Sequence, residues 1–129
     1  MSDQPVVISL DRLTWHAGDE VTGVVWLRNL PIVDEARALK ARFELREVGT
    51  FLTSRHVLGP RFEAQVTREL RFRLPLPHNG PISWVGRRIQ LEWWLVVELD
   101  LPSMWALDPR AEAKLQVIPR GAALPVTAQ

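Results

Sequence analysis

The sequence predicts an all-β sandwich, and three observations carry that prediction. Ile89, Leu91, Trp93, Leu95, Val97 and Leu99 fall on alternate positions. A period of two places them on one face of a strand, a face without a polar member, so this strand belongs at the centre of a sheet. Further short alternating runs recur along the chain, separated by Gly, Pro, Asn and Asp at about every ten residues, and no segment carries a long helical period. Several of these strands have one apolar and one charged face. That pattern suits two sheets packed face to face, whereas a ligand-holding barrel needs more strands than the chain supplies.

Val6 to Leu10 is a first short strand, closed by Asp11-Arg12. Trp15 precedes a turn at His16-Ala17-Gly18-Asp19 and is expected to plug one end of the sandwich. Val21, Gly23, Val25 and Leu27 then alternate with Thr22, Val24, Trp26 and Arg28 until Asn29-Leu30-Pro31 stops the strand. Asp34 to Leu39 is too short for an independent helix and reads as a loop. Leu39, Ala41, Phe43 and Leu45 alternate with Lys40, Arg42, Glu44 and Arg46, whose charges are expected to face water. Gly49 to Gly59 reads as a hairpin arm, with Gly59-Pro60 as its turn. Leu70, Phe72 and Leu74 form the next apolar face, and Pro75-Leu76-Pro77 ends it because proline donates no amide hydrogen. Pro81 to Arg88 is a turn feeding the long strand from Ile89. Leu101 to Pro109 is a connector, and Ala113, Leu115 and Val117 mark a last strand. The domain is therefore placed at residues 1–118, with a loose tail over 119–129.

At 129 residues the chain fits one domain, able to bury about two thirds of its unfolded surface. It contains no cysteine, which removes thiolate nucleophiles, thiolate zinc sites and iron–sulfur clusters together. Sixteen Lys and Arg against fifteen Asp and Glu give a net charge of +1, too weak a field to recruit nucleic acid by itself. Arg87-Arg88 with Arg71 and Arg73 beside Trp84 is the nearest approach to a nucleic-acid strip, but the strand arginines alternate with glutamates, as on ordinary soluble sheet faces. The N-terminal residues lack a signal-like basic and apolar pattern, so a cytoplasmic location is expected. No window approaches the ~18 apolar residues of a spanning helix, so membrane insertion is not expected.

Two blocks resemble an arrestin-like N-terminal domain. Gly18-Asp19-Glu20-Val21-Thr22-Gly23-Val24-Val25-Trp26-Leu27 is similar to the family's Gly-Asp-x-Val-x-Gly-x-Val strand. Phe72-Arg73-Leu74-Pro75, then Pro81-Ile82-Ser83-Trp84-Val85-Gly86 and the alternating run from Ile89 to Val97, are similar to its Pro-Ser-aromatic-x-Gly turn and following strand. The likeness spans Val6 to Pro119. It implies an immunoglobulin-like sandwich of seven or eight strands used as an adaptor, and bacterial members include proteins similar to the sporulation-control family. Eukaryotic arrestins join two such domains through a polar core. This chain has room for one, so receptor binding and the activation switch are not carried over. Physically, Gly23 would let a neighbouring backbone or large side chain approach, and Pro81 with Gly86 would bend the chain before the buried strand.

Six tryptophans and no tyrosine make the tryptophans the natural candidates for binding. Trp93 shares the apolar face of its strand and is expected in the core. Its neighbour Trp94 must then face outward beside Val96, as Trp26 does beside Val24. Val24, Trp26, Trp94 and Val96 are the expected anchors of an interface with a protein partner or a second copy of the chain, unless the chain's own loops cover them. Trp84 and Trp105, in turn-like segments, offer an alternative reading as sugar-stacking rings of a carbohydrate-binding module. His16, His56 and His78 lack the close spacing of metal ligands, and no cofactor motif is present. A Ser83–His78–Asp100 set can be written on paper, but no nucleophile-elbow motif supports it. The expectation is a protein-binding module without catalysis.

Overall fold

The computed structural model describes residues 4–28, 30–78, 80–102 and 109–122. Among these residues nine strands and one short helix follow one another: β1 (Val6–Leu10), β2 (Thr14–His16), β3 (Glu20–Leu27), α1 (Leu30–Glu35), β4 (Ala38–Gly49), β5 (Thr53–Ala64), β6 (Glu69–Pro75), β7 (Trp84–Val85), β8 (Ile89–Asp100) and β9 (Arg110–Ile118). They form the expected β-sandwich from two unequal sheets. One has three strands in the order β1-β3-β6; the other runs β2-β9-β8-β4-β5, with β7 added beside β8.

Strand β8 is central, as its unbroken apolar face requires. It pairs antiparallel with β4 over its whole length, from Ala38 opposite Asp100 to Gly49 opposite Ile89. On its other side β9 pairs from Arg110 to Leu115. Beyond that point β9 turns to a parallel pairing with β2, and β7 takes its place beside β8. Serine 83 links the two partners: Val117 N–H donates to the Ser83 hydroxyl, and Ser83 N–H donates to the Val117 carbonyl, each at 2.8 Å.

The core lies between the sheets and is centred on Trp93, which is buried with Phe43, Leu95, Leu99 and Val21. The Phe43 ring meets Trp93 edge-on at 6.4 Å and Phe62 at 6.3 Å, a favoured aromatic geometry. An indole N–H buried without a partner is costly, and that of Trp93 donates to the Pro81 carbonyl at 2.7 Å. Trp15 is buried as an end plug, on β2, and its N–H donates to the Arg12 carbonyl at 3.0 Å. Ile89, at the mouth of the long strand, leaves the core face and stands exposed.

Two local expectations are corrected. Asp34 to Leu39 is not loop throughout, because Asp34 and Glu35 end a helix of one turn and a half, Leu30–Glu35, and Ala38 and Leu39 begin β4. Proline is tolerated in the first turn of a helix, where its missing N–H has no partner to lose, so Pro31 sits within α1, and β3 has already ended at Leu27. Nor does the chain turn at Gly59-Pro60: β5 runs through it. Three residues of β5 oppose Arg42 alone where the register shifts between Ala41 and Phe43, a bulge for which Gly59 supplies a φ of 78°. Proline fits there because β5 pairs only with β4 and its other edge needs no donor.

Gly23 faces the core, and a methyl group added to it would meet the Ser9 carbonyl and stand 2.7 Å from the Phe72 ring. Gly23→Ala is expected to lower stability by about 1–3 kcal/mol, because the β1 backbone as well as a side chain must move. Urea denaturation measures this, and an unchanged midpoint would show that β1 and β6 yield freely.

Candidate functional site

The outer face of the large sheet carries a closed ring of ion pairs. Arg42 reaches Glu44 at 2.7 Å and Glu98 at 3.1 Å. Arg46 reaches Glu44 at 3.2 Å and Glu112 at 2.7 Å. Arg110, at 3.8 Å from both Glu98 and Glu112, closes the circuit. Cross-strand register sets Val96 between Arg42 and Glu112, in the middle of the ring. Val96 is 0% exposed, Glu44 4% and Arg46 6%. Beside it on β8, Trp94 lies under the Arg46 guanidinium, 4.5 Å from the ring centroid, and its N–H donates to Glu92 at 3.1 Å. Glu92 is in turn held by Lys114 at 3.0 Å.

The charges of β4 therefore do not simply face water. Arginine has an apolar stem and a planar head, so Arg42 and Arg46 lie flat across the sheet and pair with Glu44 on their own strand, with Glu98 on β8 and with Glu112 on β9. Val96 is covered by charged side chains and offers no open anchor, and Trp94 is half-buried beneath a cation. Burial pushes the Glu44 carboxyl up, but hydrogen bonds from Arg42 and Arg46 outweigh it and hold the group below the usual carboxylate range. Glu112 is pulled down chiefly by the Arg46 hydrogen bond. Burial also raises Glu92, yet the Lys114 and Trp94 hydrogen bonds bring it below the ordinary value.

Val24 and Trp26 sit on the outer face of the other sheet, across from Ser9 and Val7 on β1 and from Arg71 and Glu69 on β6. They lie on the opposite side of the sandwich from Trp94 and Val96, so the four residues do not make the single patch that alternation alone suggested. Trp84 is half-exposed on β7; its ring lies against Gly86, where a side chain would collide with it, and lines an open cleft of about 530 Å3 with Leu13, Val85 and Lys114. Trp105 lies outside the described residues. The register that sets Trp84 opposite Leu91 puts Ser83 beside Glu92, about 26 Å by strand rise from Asp100 at the far end of β8, so the paper triad is not assembled. Among the described residues no three His, Asp or Glu side chains form a group that could hold a metal ion.

The surface with the clearest capacity for binding is an edge of the sandwich. Among the described residues, strands β5 and β6 each have one paired neighbour, and they belong to different sheets. Between them opens a cleft of about 450 Å3 that reaches Val25 and Val97 on its floor, with Phe62, Leu70, Phe72 and Leu74 along its walls. Those wall residues are only partly buried. Arg61, Arg71 and Arg73 border it, exposed; Arg73 makes a long contact with Glu20 at 3.7 Å, and Arg61 and Arg71 make no salt bridge among the described residues. Glu63 and Glu69 are the carboxylates on the same strands. Sequence alternation put Leu70, Phe72 and Leu74 on one apolar face and gave no reading of Phe62; what it does not encode is that the small sheet stops at β6 and leaves that face half-covered.

No protein-family model matches the sequence, and no curated protein matches it. The fold is similar to the crystal structure of Spo0M, a sporulation control protein from Bacillus subtilis, with a TM-score of 0.59 and 19% sequence identity. The alignment covers 87% of this chain and 48% of that one, so the chain spans about half the length of that protein. The architecture is thus an arrestin-like β-sandwich, shared with Spo0M at the level of fold.

The ion-pair ring predicts an acid-sensitive domain. Glu44 and Glu112 of the ring, and Glu92 beside it, titrate lower in the folded state than in the unfolded chain, so their stabilisation is fully present above about pH 4.3 and is lost as pH falls through the folded values. The urea midpoint should be level from pH 7 to about 5 and drop below about pH 4. Glu44→Ala, which leaves two guanidinium groups without their shared acceptor, should cost about 3 kcal/mol at pH 7 and flatten the acid-side fall. An unchanged acid profile in that variant would remove Glu44 from the account.

Proposed function

We propose that this domain is a non-enzymatic protein-binding module that takes an extended segment of a partner protein into the cleft between β5 and β6. The observation that carries this reading is a solvent-open apolar cleft flanked by two strands whose outer edges are unpaired among the described residues. A strand laid beside β6 gains main-chain hydrogen bonds, and its alternate side chains point into the cleft and out to solvent. The inward positions suit Leu, Ile or Phe against Phe62 and Phe72. The outward ones fall beside Arg71 and Arg73 and suit Asp or Glu. The outer face of the large sheet is a poorer candidate, because ion pairs already cover Val96 and Trp94. The arrestin-like fold is in keeping with an adaptor role.

Peptides of alternating apolar and acidic residues should bind with micromolar affinity, slow amide exchange in β6, and bind at least about tenfold more weakly to Arg71→Glu/Arg73→Glu. Titration calorimetry with amide exchange reads both. Binding that leaves β6 exchange untouched would move the site elsewhere. A concentration-dependent dimer with the same β6 protection would identify the partner as a second copy.

A further inference from the structure

Seven large apolar side chains are exposed among the described residues, and six of them gather at one end of the sandwich: Leu13, Phe51, Leu52, Trp84, Val85 and Ile89. The sheet explains the gathering. Gly49 stands opposite Ile89 and Val85 opposite Gln90, so the β4–β5 and β7–β8 connections emerge side by side. The first is tightened by Gly49 N–H donating to the Leu52 carbonyl and the second by Gly86 N–H donating to the Ile89 carbonyl, both at 2.9 Å. Leu13 joins them across the cleft it shares with Trp84 and Val85. The seventh, Val57, lies along β5 away from this end.

The exposure is extreme at the hairpin tip, 93% for Phe51 and 80% for Leu52, with Trp84 at 53% behind them. Arg87 and Arg88 occupy the adjoining turn, are exposed, and make no salt bridge among the described residues. Of the carboxylates on the adjoining strands, Glu47 is exposed and lies 3.8 Å from His56, and Glu92 is held by Lys114 and Trp94. The end of the domain is thus apolar at its tip and cationic at its shoulder.

We infer that this end docks on an anionic lipid surface, with Phe51, Leu52 and Trp84 entering the headgroup boundary and Arg87 and Arg88 contacting acidic headgroups. Prongs this exposed have no side walls for a rigid partner to share, whereas a fluid interface closes around each one. Tryptophan favours that interface, and basic residues beside it add attraction to anionic lipid. The contact is peripheral and needs no spanning segment; no helix among the described residues is long and apolar enough to cross a membrane. It is separate from the β5/β6 cleft and does not depend on it.

The test is co-sedimentation of the full chain with phosphatidylcholine vesicles, with and without about 30% phosphatidylserine, at low and physiological salt. Binding should require the anionic lipid and weaken with salt. Phe51→Ser/Leu52→Ser should lower it at least about tenfold, and Arg87→Gln/Arg88→Gln about 30-fold on anionic vesicles. All four side chains are exposed, so both variants should keep the wild-type circular dichroism and urea midpoint. Failure of the wild type to sediment with either vesicle overturns the inference. So does sedimentation that both folded variants retain.

Discussion

The indole of Trp93 is the constraint on which the arrangement depends. A side chain of that size stabilises the sandwich only at its centre, and a buried N–H must be given an acceptor. The acceptor is the Pro81 carbonyl, twelve residues back, so satisfying one polar atom draws the segment before β7 against the core. That draw places Ser83 where it bonds both groups of Val117 and sets β7 in the gap left when β9 departs from β8. The exposed end with Trp84 and the two arginines is therefore built from inside. Its loops stand where they do because Trp93 is tied.

The two faces of β8 solve the same problem in different ways. Its odd positions meet the small sheet across an apolar core, while its even positions have no sheet above them and are roofed by charge. A ring of alternating guanidinium and carboxylate groups leaves each ion with partners on both sides, so partial burial does not strand a charge. The apolar stems of Arg42 and Arg46 then shield Val96 as a methyl-rich lid would. This is why Val96, which alternation marks as outward and apolar, is covered, and Trp94 beside it is half-buried.

The alternation of β8, β4 and β6 made the sandwich, its central strand and its buried tryptophan legible from sequence, and the two motif blocks made the arrestin-like architecture legible. Strand assignment across Gly59-Pro60 was not, because a proline that stops a central strand is harmless on an edge, and edges are decided by sheet order. Alternation also says which side of a strand Trp26 and Trp94 occupy without saying that β3 and β8 belong to different sheets. The ring was half-visible, as Arg-x-Glu-x-Arg on β4, but its closure needs the register that brings Glu98 and Glu112 alongside. The β5/β6 cleft and the apolar end left no local signal, since both arise where strands terminate.

The unequal sheets give the molecule an uneven resistance to opening. Strand β8 is bonded along both edges and packed on both faces, so its amides are released only when the domain unfolds as a whole. Strand β6 is held by β3 alone and contributes half-covered side chains. It belongs to the part of the fold that separates at lower cost, by local excursions that leave the large sheet intact. The cleft wall is thus the compliant side of a stiff frame, able to adjust its width to what it encloses without loosening the core behind it.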